Sequence, residues 1–511
     1  MTVGKVYLIG AGPGDPGLLT LKGKRFISEA DVVIYDYLAA RVLLDHAPSD
    51  AEMIYVGKKG GDHTLSQDGI NRLIIEKAKA GNVVARLKGG DPFIFGRGGE
   101  EAEILVENQI PFEVVPGITS AIAAPAYAGI PLTHRDHTAT LAFVTGHEDP
   151  TKEESNIDWA ALAKGIGTLV FLMGVKNLPH IVGRLLDHGR SPQTPVALVR
   201  WGTTAQQVTV RGMLSDIVRR VEAARLKAPA VIVVGEVVGL RDRLRWFDTR
   251  PLTGKRIVVT RAREQASDLV TRLQDLGADC LEIPTIQVAP PRDPEPLNRA
   301  IDEIDQYNWL VFTSVNGVKY FFNRLFSQGR DVRALGHLQT AAIGPATADR
   351  LLGFGITCDI LPDSYRAESV VDAFADVLIS GKRILLPRAR EARSVLPDSL
   401  TRMGARVDEI TAYRTELDSR NRDVLLDALE NGQVDMVTFT SSSTVKNFKA
   451  LLPEDRFRTL PASVRIVAIG PITADTAADL GFTVHRVAET YTIPGLCDAI
   501  LADLGGSGVA S

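Results

Sequence analysis

The sequence predicts an α/β protein of more than one domain, and three observations carry that prediction. Short β-branched runs alternate with helical patterns from end to end, which is the signature of βα units. The chain has 511 residues, more than one domain of ordinary size holds. Its second half repeats itself at a fixed spacing. Apolar residues make up 45 % and charged ones 23 %, a balance that excludes disorder over most of the length.

In chain order, the runs 3–10, 31–35, 53–56, 83–87, 140–145, 168–173, 195–201 and 230–234 read as buried strands. Between them lie helices such as 66–80. There Ser66 suits the N-cap, Ile70, Leu73, Ile74 and Lys77 follow helical spacing, and Gly81 suits the residue after the C-cap. Such alternation predicts mostly parallel sheets, with ligands at the carboxyl ends of the strands. The texture changes near residue 250. A charged helix end, Arg241-Asp242-Arg243-Leu244-Arg245, gives way to a Pro/Gly connection and a fresh strand at 255–260. The expected division is therefore 1–247, a linker at 248–253, a second part at 254–505 and a flexible tail at 506–511.

The second part carries the repeat. Gly254-Lys255-Arg256-Ile257 returns as Gly381-Lys382-Arg383-Ile384, and Arg261-Ala262-Arg263-Glu264 as Arg388-Ala389-Arg390-Glu391, both 127 residues on. Phe312-Thr313-Ser314 returns as Phe439-Thr440-Ser441 at the same offset. Ile343-Gly344-Pro345 returns one residue sooner as Ile469-Gly470-Pro471. Two related α/β lobes follow, with a cleft between them as the natural ligand site.

Charge narrows the function. The formal net charge is −4, so no whole-chain nucleic-acid footprint exists. An anionic ligand would need locally placed Arg and Lys. The three cysteines, 280, 358 and 497, have no C-x-x-C pair, which argues against a zinc knuckle or disulfide framework and fits a reducing cytoplasm. His134 and His137 lie three apart, His63 and His147 stand alone, and no metal-ligand spacing occurs. The apolar stretch 6–10 is too short for a signal peptide, and the run 229–240 is interrupted by Glu236, so neither a leader nor a membrane span is expected.

Two motifs carry chemistry. Gly10-Ala11-Gly12-Pro13-Gly14-Asp15 follows the first strand, where small residues let backbone approach a ligand. The dinucleotide fingerprint needs a third glycine where Asp15 stands, and Pro13 removes a donor. The run Arg86-Leu87-Lys88-Gly89-Gly90-Asp91-Pro92-Phe93-Ile94-Phe95-Gly96-Arg97-Gly98-Gly99-Glu100-Glu101 ends a buried strand. It offers a bare backbone rim with one carboxylate, suited to an amino-acid-like group.

With Val115-Pro116-Gly117-Ile118-Thr119-Ser120, Gly129-Ile130-Pro131-Leu132-Thr133-His134-Arg135 and Val144-Thr145-Gly146-His147, these motifs resemble the tetrapyrrole methylases, and most closely their uroporphyrinogen-III C-methyltransferase branch, over about residues 3–247. The resemblance implies two α/β lobes binding S-adenosylmethionine, usually a homodimer. Two methyl groups would go to C-2 and C-7 of uroporphyrinogen III, through precorrin-1 to precorrin-2. By motif, the cofactor would be held by Pro13, Gly89, Gly90, Asp91, Ile94, Thr119, Ser120, Met173, Gly202 and Ala230. Asp36 and Lys58 match positions with acid–base roles. Where the family continues with Arg-Leu-Val-Ser after that Asp, this chain has Tyr37-Leu38-Ala39-Ala40. Arg97, Glu100 and Arg135 stand at the expected cleft, where Arg forks suit a substrate with eight carboxylates. Arg97 is at once a clamp and a candidate base. Longer fusions of the family place a dehydrogenase and ferrochelatase module before the methyltransferase. The first strand here begins at Val3, so those activities are expected from another protein.

The second half resembles uroporphyrinogen-III synthase in Phe312-Thr313-Ser314 with Asn316-Gly317-Val318, in the two Ile-Gly-Pro motifs, and in Ala412-Tyr413-Arg414-Thr415. This implies one lobe from 254–287 plus 415–505 and another from 288–414, cyclising hydroxymethylbilane with inversion of its last ring. Tyr413 stands where the repeat has Ile286, and a phenol there could help hydroxide leave. Ser314, Thr347, Ser441, Ser443 and Thr473 would hold acetate and propionate groups, and Arg261, Arg263, Arg388 and Arg390 would add charge. A methylase acting at a later corrin carbon and a non-catalytic tetrapyrrole carrier in the second half stay open at this stage. No nucleic-acid or membrane partner is expected.

Overall fold

The structure is a computed structural model that describes residues 3–57, 65–147, 156–261, 263–362, 367–390, 394–453 and 460–504. It divides into two compact units. The bulk of the first is Met1–Arg256 and the bulk of the second Leu281–Asp503.

The first unit holds two five-stranded sheets. Strands β1 (Val6–Gly10), β2 (Val32–Tyr35), β3 (Glu52–Tyr55), β4 (Val84–Lys88) and β5 (Phe112–Val115) form an all-parallel sheet of order β3-β2-β4-β1-β5. Period-two alternation sends Val6 and Leu8 to one core, and Tyr7 and Ile9 to another. Strands β6 (Leu141–Thr145), β7 (Thr168–Leu172), β8 (Pro195–Arg200), β9 (Val208–Met213) and β10 (Ala230–Val234) form the second sheet, of order β6-β7-β10-β8-β9. Only β6 and β7 pair in parallel; β7–β10, β10–β8 and β8–β9 are antiparallel. The expectation of mostly parallel sheets thus fails for this one. The short turn from β8 to β9 cannot supply the crossover that a parallel pair needs. The reading also missed β5 and β9. Both are partly exposed edge strands, and their apolar runs are correspondingly weak.

The helix Gln67–Lys79 forms where its periodicity places it. Ser66 caps it by accepting from Gly69 N at 3.2 Å, and Gly81 follows with φ +93, a left-handed conformation that favours glycine.

The C-terminal half supplies β11 (Arg256–Val259), β12 (Asp279–Glu282), β13 (Ile286–Ala289), β14 (Trp309–Phe312), β15 (Gln339–Ala342), β16 (Arg383–Ala389), β17 (Arg406–Leu417), β18 (Met436–Phe439), β19 (Arg465–Ala468) and β20 (Arg486–Val487). They form two sheets, β12-β11-β18-β19-β20 and β13-β17-β16-β14-β15. The repeat carries β11, β12, β14 and β15 onto β16, β17, β18 and β19. Each sheet therefore takes two strands from the start of one repeat and two from the end of the other. The capping residues repeat as well. Ser314 and Ser441 cap their helices at φ −166 and −167, and Gly344 and Gly470 theirs at −173 and −172.

Candidate functional site

In the first unit, three loops at the carboxyl ends of β1, β4 and β5 converge backbone to backbone. Gly12 and Gly90 form a two-bond bridge, Gly12 N to Gly90 O at 3.2 Å and Gly90 N to Gly12 O at 2.8 Å. A Cβ on Gly117 would lie 2.2 Å from Gly90 O and 2.6 Å from Gly10 Cα, so no side chain fits where the loops cross. Gly90 also has φ +71. Asp91 ties the crossing together. Its Oδ1 accepts from Phe93 N at 2.8 Å and Ile94 N at 3.1 Å, and its Oδ2 accepts from Gly117 N at 2.9 Å. Thr119, 7 % exposed, caps the helix Ser120–Tyr127 by accepting from Ala121 N. The helix N-terminus is thereby aimed from the same crossing.

A second group of loops meets the first. A Cβ on Gly202 would lie 2.4 Å from Ala124 Cβ, and one on Gly14 would lie 2.7 Å from Thr204 Cγ2. Thr203 accepts from Asp15 N through its hydroxyl at 3.1 Å, and Tyr127 donates to Asp15 Oδ2 at 2.7 Å. Burial and that carboxylate push the Tyr127 phenol well above its ordinary pKa, so it stays a donor. Phe95, Arg97, Met173, Trp201 and Thr203 are non-glycine residues with φ between +48 and +73, a concentration of strain typical of functional loops.

An open cleft of about 370 Å³ is lined by Phe93, Phe95, Arg97, Gly98, Gly99, Glu100, Thr145 and Met173. Its apolar wall is solvent-facing: Phe93 is 55 % and Met173 53 % exposed. The bare glycine crossing, the helix N-terminus and this thioether and aromatic wall fit S-adenosylmethionine, whose amino-acid end wants backbone partners and whose sulfonium and adenosine want soft apolar ones. The structure thus brings Gly89, Gly90, Asp91, Ile94, Thr119 and Ser120 to one place, with Gly14 beside Pro13 meeting the Gly202 loop. Ala230 begins β10. Asp91 accepts three amides and so holds the loops together, with acceptor capacity left on Oδ2.

Arg97 and Glu100 face each other in a two-bond pair, 2.9 and 2.6 Å. That bond holds the guanidinium above its ordinary pKa and the carboxyl below its own. The favoured charged form speaks against a base role for Arg97, and its fork is occupied by Glu100. Arg135 stands exposed on the turn between His134 and Thr138 and is not among the residues lining the cleft. Asp36 follows β2, accepting from Leu38 N at 3.0 Å, and a Cβ on Gly89 would lie 2.4 Å from Leu38 Cβ. The Asp36 loop therefore packs on the glycine rim. Lys58 and His63 lie outside the described residues.

In the second unit, Tyr413 lies on β17, 8 % exposed, with its ring in the core beside Tyr320. Its hydroxyl meets Ser314 Oγ at 3.0 Å. Ser314 also accepts from Gly317 N at 3.0 Å. Ser441 caps the helix Ser442–Leu451 and bonds Ser443 Oγ at 2.9 Å. Two hydroxyl candidates are corrected. Thr347 and Thr473 are 4 % and 6 % exposed, because each sits in the first turn of its helix on the side packed against the sheet. Arg388 is also buried and paired with Glu409 at 3.4 Å. Arg390 is exposed, Arg261 half-buried, and the Arg263 side chain lies outside the described residues.

Sequence reasoning missed Phe93, Phe95 and Thr145 on the cleft wall, and the Asp15–Tyr127–Thr203 bracket. Phe93 and Phe95 had a signal, being apolar residues inside a glycine-rich loop. Among the described residues no group of three His, Cys, Asp or Glu could hold a metal, and no helix is long and apolar enough to cross a membrane.

Residues 5–218 match the model of the tetrapyrrole (corrin/porphyrin) methylases, and residues 267–498 that of uroporphyrinogen-III synthase HemD. The chain is 37 % identical over its whole length, and that of the relative, to the porphyrin biosynthesis protein HemD of Ruminiclostridium josui. Over 47 % of this chain and 94 % of the relative it is 58 % identical to the S-adenosyl-L-methionine-dependent uroporphyrinogen III methyltransferase of Methanosarcina barkeri. A crystal structure of uroporphyrin-III C-methyl transferase from Thermus thermophilus with S-adenyl homocysteine is 41 % identical. It covers 46 % of this chain and all of that one, with a TM-score of 0.40.

Proposed function

We propose that this chain, which belongs to the tetrapyrrole methylases and carries a uroporphyrinogen-III synthase in the same polypeptide, performs two consecutive steps. The part at 254–505 cyclises hydroxymethylbilane to uroporphyrinogen III, and the part at 1–247 methylates that product at C-2 and C-7 to give precorrin-2, toward sirohaem or cobalamin. The observation that carries the methyltransferase reading is the glycine crossing of Gly10, Gly90 and Gly117 under an exposed wall of Met173, Phe93 and Phe95. It is a cradle for a small amino-acid-like donor beside room for a large apolar ring.

S-adenosylmethionine, when bound, supplies an activated methyl group and its own leaving group. The loops held by Asp91 fix the donor end, and holding the reactants in line supplies much of the rate. With that donor held, a pyrrole carbon would be placed in line to receive the methyl group, and the protein's part is to align it and to take up the proton it must lose. The Asp36 carboxylate, which stands on the glycine rim, takes that proton. Arg97 exchanges Glu100 for a substrate carboxylate.

In the synthase half the reaction loses hydroxide from the bilane and closes the ring. Ser314 and Tyr413 share a hydrogen bond at the carboxyl end of the sheet, so a proton donated by the phenol can be replaced through the serine. The remaining work is to fold the bilane before spontaneous closure, which asks for shape and hydroxyls and not for a nucleophile. We propose in addition a homodimer acting in the cytoplasm.

The test is Asp36→Asn in the full chain supplied with uroporphyrinogen III. It is expected to keep S-adenosylmethionine binding and to lose methyl transfer by about 10²–10⁴-fold, the usual worth of a general base. Full methylation by Asp36→Asn would remove Asp36 as the proton acceptor.

A further inference from the structure

Strand β4 reads Val84-Ala85-Arg86-Leu87-Lys88, and every residue of it is buried. Val84 belongs to the core under the helices Gln67–Lys79 and Gly98–Glu107, along with Ile70, Ile74, Ala102 and Leu105. Alternation puts Arg86 and Lys88 on that same face. Two cations thus enter an apolar core, at 3 % and 4 % exposure.

The helix Gly98–Glu107 answers them with Glu101, 2 % exposed. Its Oε1 accepts from Lys88 Nζ at 2.7 Å, from Gln67 Nε2 at 3.1 Å and from Arg86 Nε at 3.4 Å. Its Oε2 makes no hydrogen bond. Gln67 is in turn bonded to Asn71 at 3.0 Å. Burial, and then the neighbouring Arg86, push the Lys88 ammonium below its ordinary pKa. Desolvating such charges is costly, and apolar replacements are often as stable or more so. An orphaned buried carboxylate oxygen makes the set poorer still as a stabilising device. Stability therefore does not account for it.

The set extends to Asp36. Arg86 Nη1 donates to Leu87 O at 2.8 Å, and Arg86 Nη2 donates to Asp36 Oδ2 at 3.3 Å. Asp36 is partly solvent-exposed, its side chain 27 % exposed, on the loop packed against Gly89.

We propose that Arg86 is a positioning residue for Asp36, fixing its carboxylate at the methylation site, and that Glu101, held by Lys88 and Gln67, holds Arg86 in place and shares its charge with Asp36. This rests on Asp36 being the proton acceptor. The other charged groups on the packed elements are Glu100, Glu103 and Glu107 on the helix Gly98–Glu107, with Arg97 at its N-cap, and Asp68, Arg72, Glu76, Lys77 and Lys79 on the helix Gln67–Lys79. Tyr35 and Tyr55 end the neighbouring strands. A carboxylate that must be ionised to accept a proton gives an acid limb in kcat/KM. A cation beside it lowers the pH of that limb.

The test is kcat/KM for uroporphyrinogen III against pH, with the full chain saturated in S-adenosylmethionine. The substrate carboxylates titrate alike in every variant, so differences between variants belong to the protein. Arg86→Gln should move the acid limb up by more than about half a pH unit, the direction that removing an opposite charge gives. At a fixed pH on the limb that is a loss of at least about threefold. Arg86→Lys, which keeps the charge, should leave the limb within about half a pH unit. Glu101→Gln, which keeps the shape and exposes Asp36 to the full Arg86 charge, should move it down. A structural role predicts loss of turnover with an unmoved limb in all three, and that result would overturn the proposal. Calorimetric binding of S-adenosylmethionine reports whether each variant folds. Should Arg86→Gln lose binding, Glu101→Gln decides alone, and an unmoved or raised limb there refutes the proposal. Asp36→Asn is measured alongside. If it methylates normally, the reading of Asp36 fails, whatever the limbs of the other variants do.

Discussion

Removing the Asp91 carboxylate should loosen the cofactor cradle by an amount that its hydrogen bonds set. It accepts from Phe93 N, Ile94 N and Gly117 N. The first two bonds are exposed, where water replaces them at little cost. The bond to Gly117 is part-buried and closes the crossing with Gly90. A hydrogen bond to a charged group is worth about 1.5–3 kcal/mol. At about 1.4 kcal/mol per tenfold in affinity, loss of that bond weakens S-adenosylmethionine binding by about 10- to 150-fold. Calorimetry on Asp91→Ala reads that loss. Asp91→Asn keeps one acceptor oxygen and should fall between Asp91→Ala and the parent. Cyclisation of hydroxymethylbilane by the second half should be unchanged in both. Unaltered affinity in Asp91→Ala would refute the reasoning, as would Asp91→Asn binding as poorly as Asp91→Ala.

Other outcomes follow from the same geometry. Glu100→Gln frees the Arg97 fork and should lower the KM for uroporphyrinogen III while leaving that for S-adenosylmethionine; a raised substrate KM in steady-state kinetics would instead make Glu100 a substrate ligand. Since the bond to Arg97 depresses the Glu100 pKa, the pair should persist as pH falls through the ordinary carboxylate range and break only below it. Carboxyl NMR should show that low titration in the parent and a return toward about 4.3 in Arg97→Gln. Tyr413→Phe keeps the buried ring and removes the proton, so type III product should fall by about 10²–10⁴-fold, with type I product filling the gap and methylation normal. Full type III turnover in isomer analysis would leave Tyr413 a packing residue. Gly117→Ala puts a methyl 2.2 Å from Gly90 O and should cost about 1–3 kcal/mol in denaturant unfolding, as overpacking does; no loss would mean that the crossing is looser than its geometry.

The glycine-rich loops were legible because runs of glycine at a strand end stand out from the apolar runs beside them. Gly10 and Gly90 lie in motifs that the sequence singles out, whereas the strand that leads into Gly117 was missed. The repeat was legible for a similar reason, as its helix caps recur in identity and in φ. Burial within the first turn of a helix was not legible. Thr347 and Thr473 follow Gly-Pro in the same way that exposed hydroxyls do, and only the packing of the helix decides which side they face. The antiparallel second sheet escaped notice because β9 is an edge strand with a weak apolar run. Arg86 and Lys88 did carry a signal. Two cations at period two in a strand otherwise apolar are out of place there, and their partner, Glu101, sits next to the more conspicuous Glu100.

The account stands most directly on one incubation of the purified full chain with hydroxymethylbilane and S-adenosylmethionine, read by product mass and isomer analysis. It predicts a type III macrocycle that has lost one water from the bilane and gained two methyl groups, with two equivalents of S-adenosylhomocysteine formed. Type I macrocycle without methylation, or type III macrocycle methylated at positions other than C-2 and C-7, would contradict it.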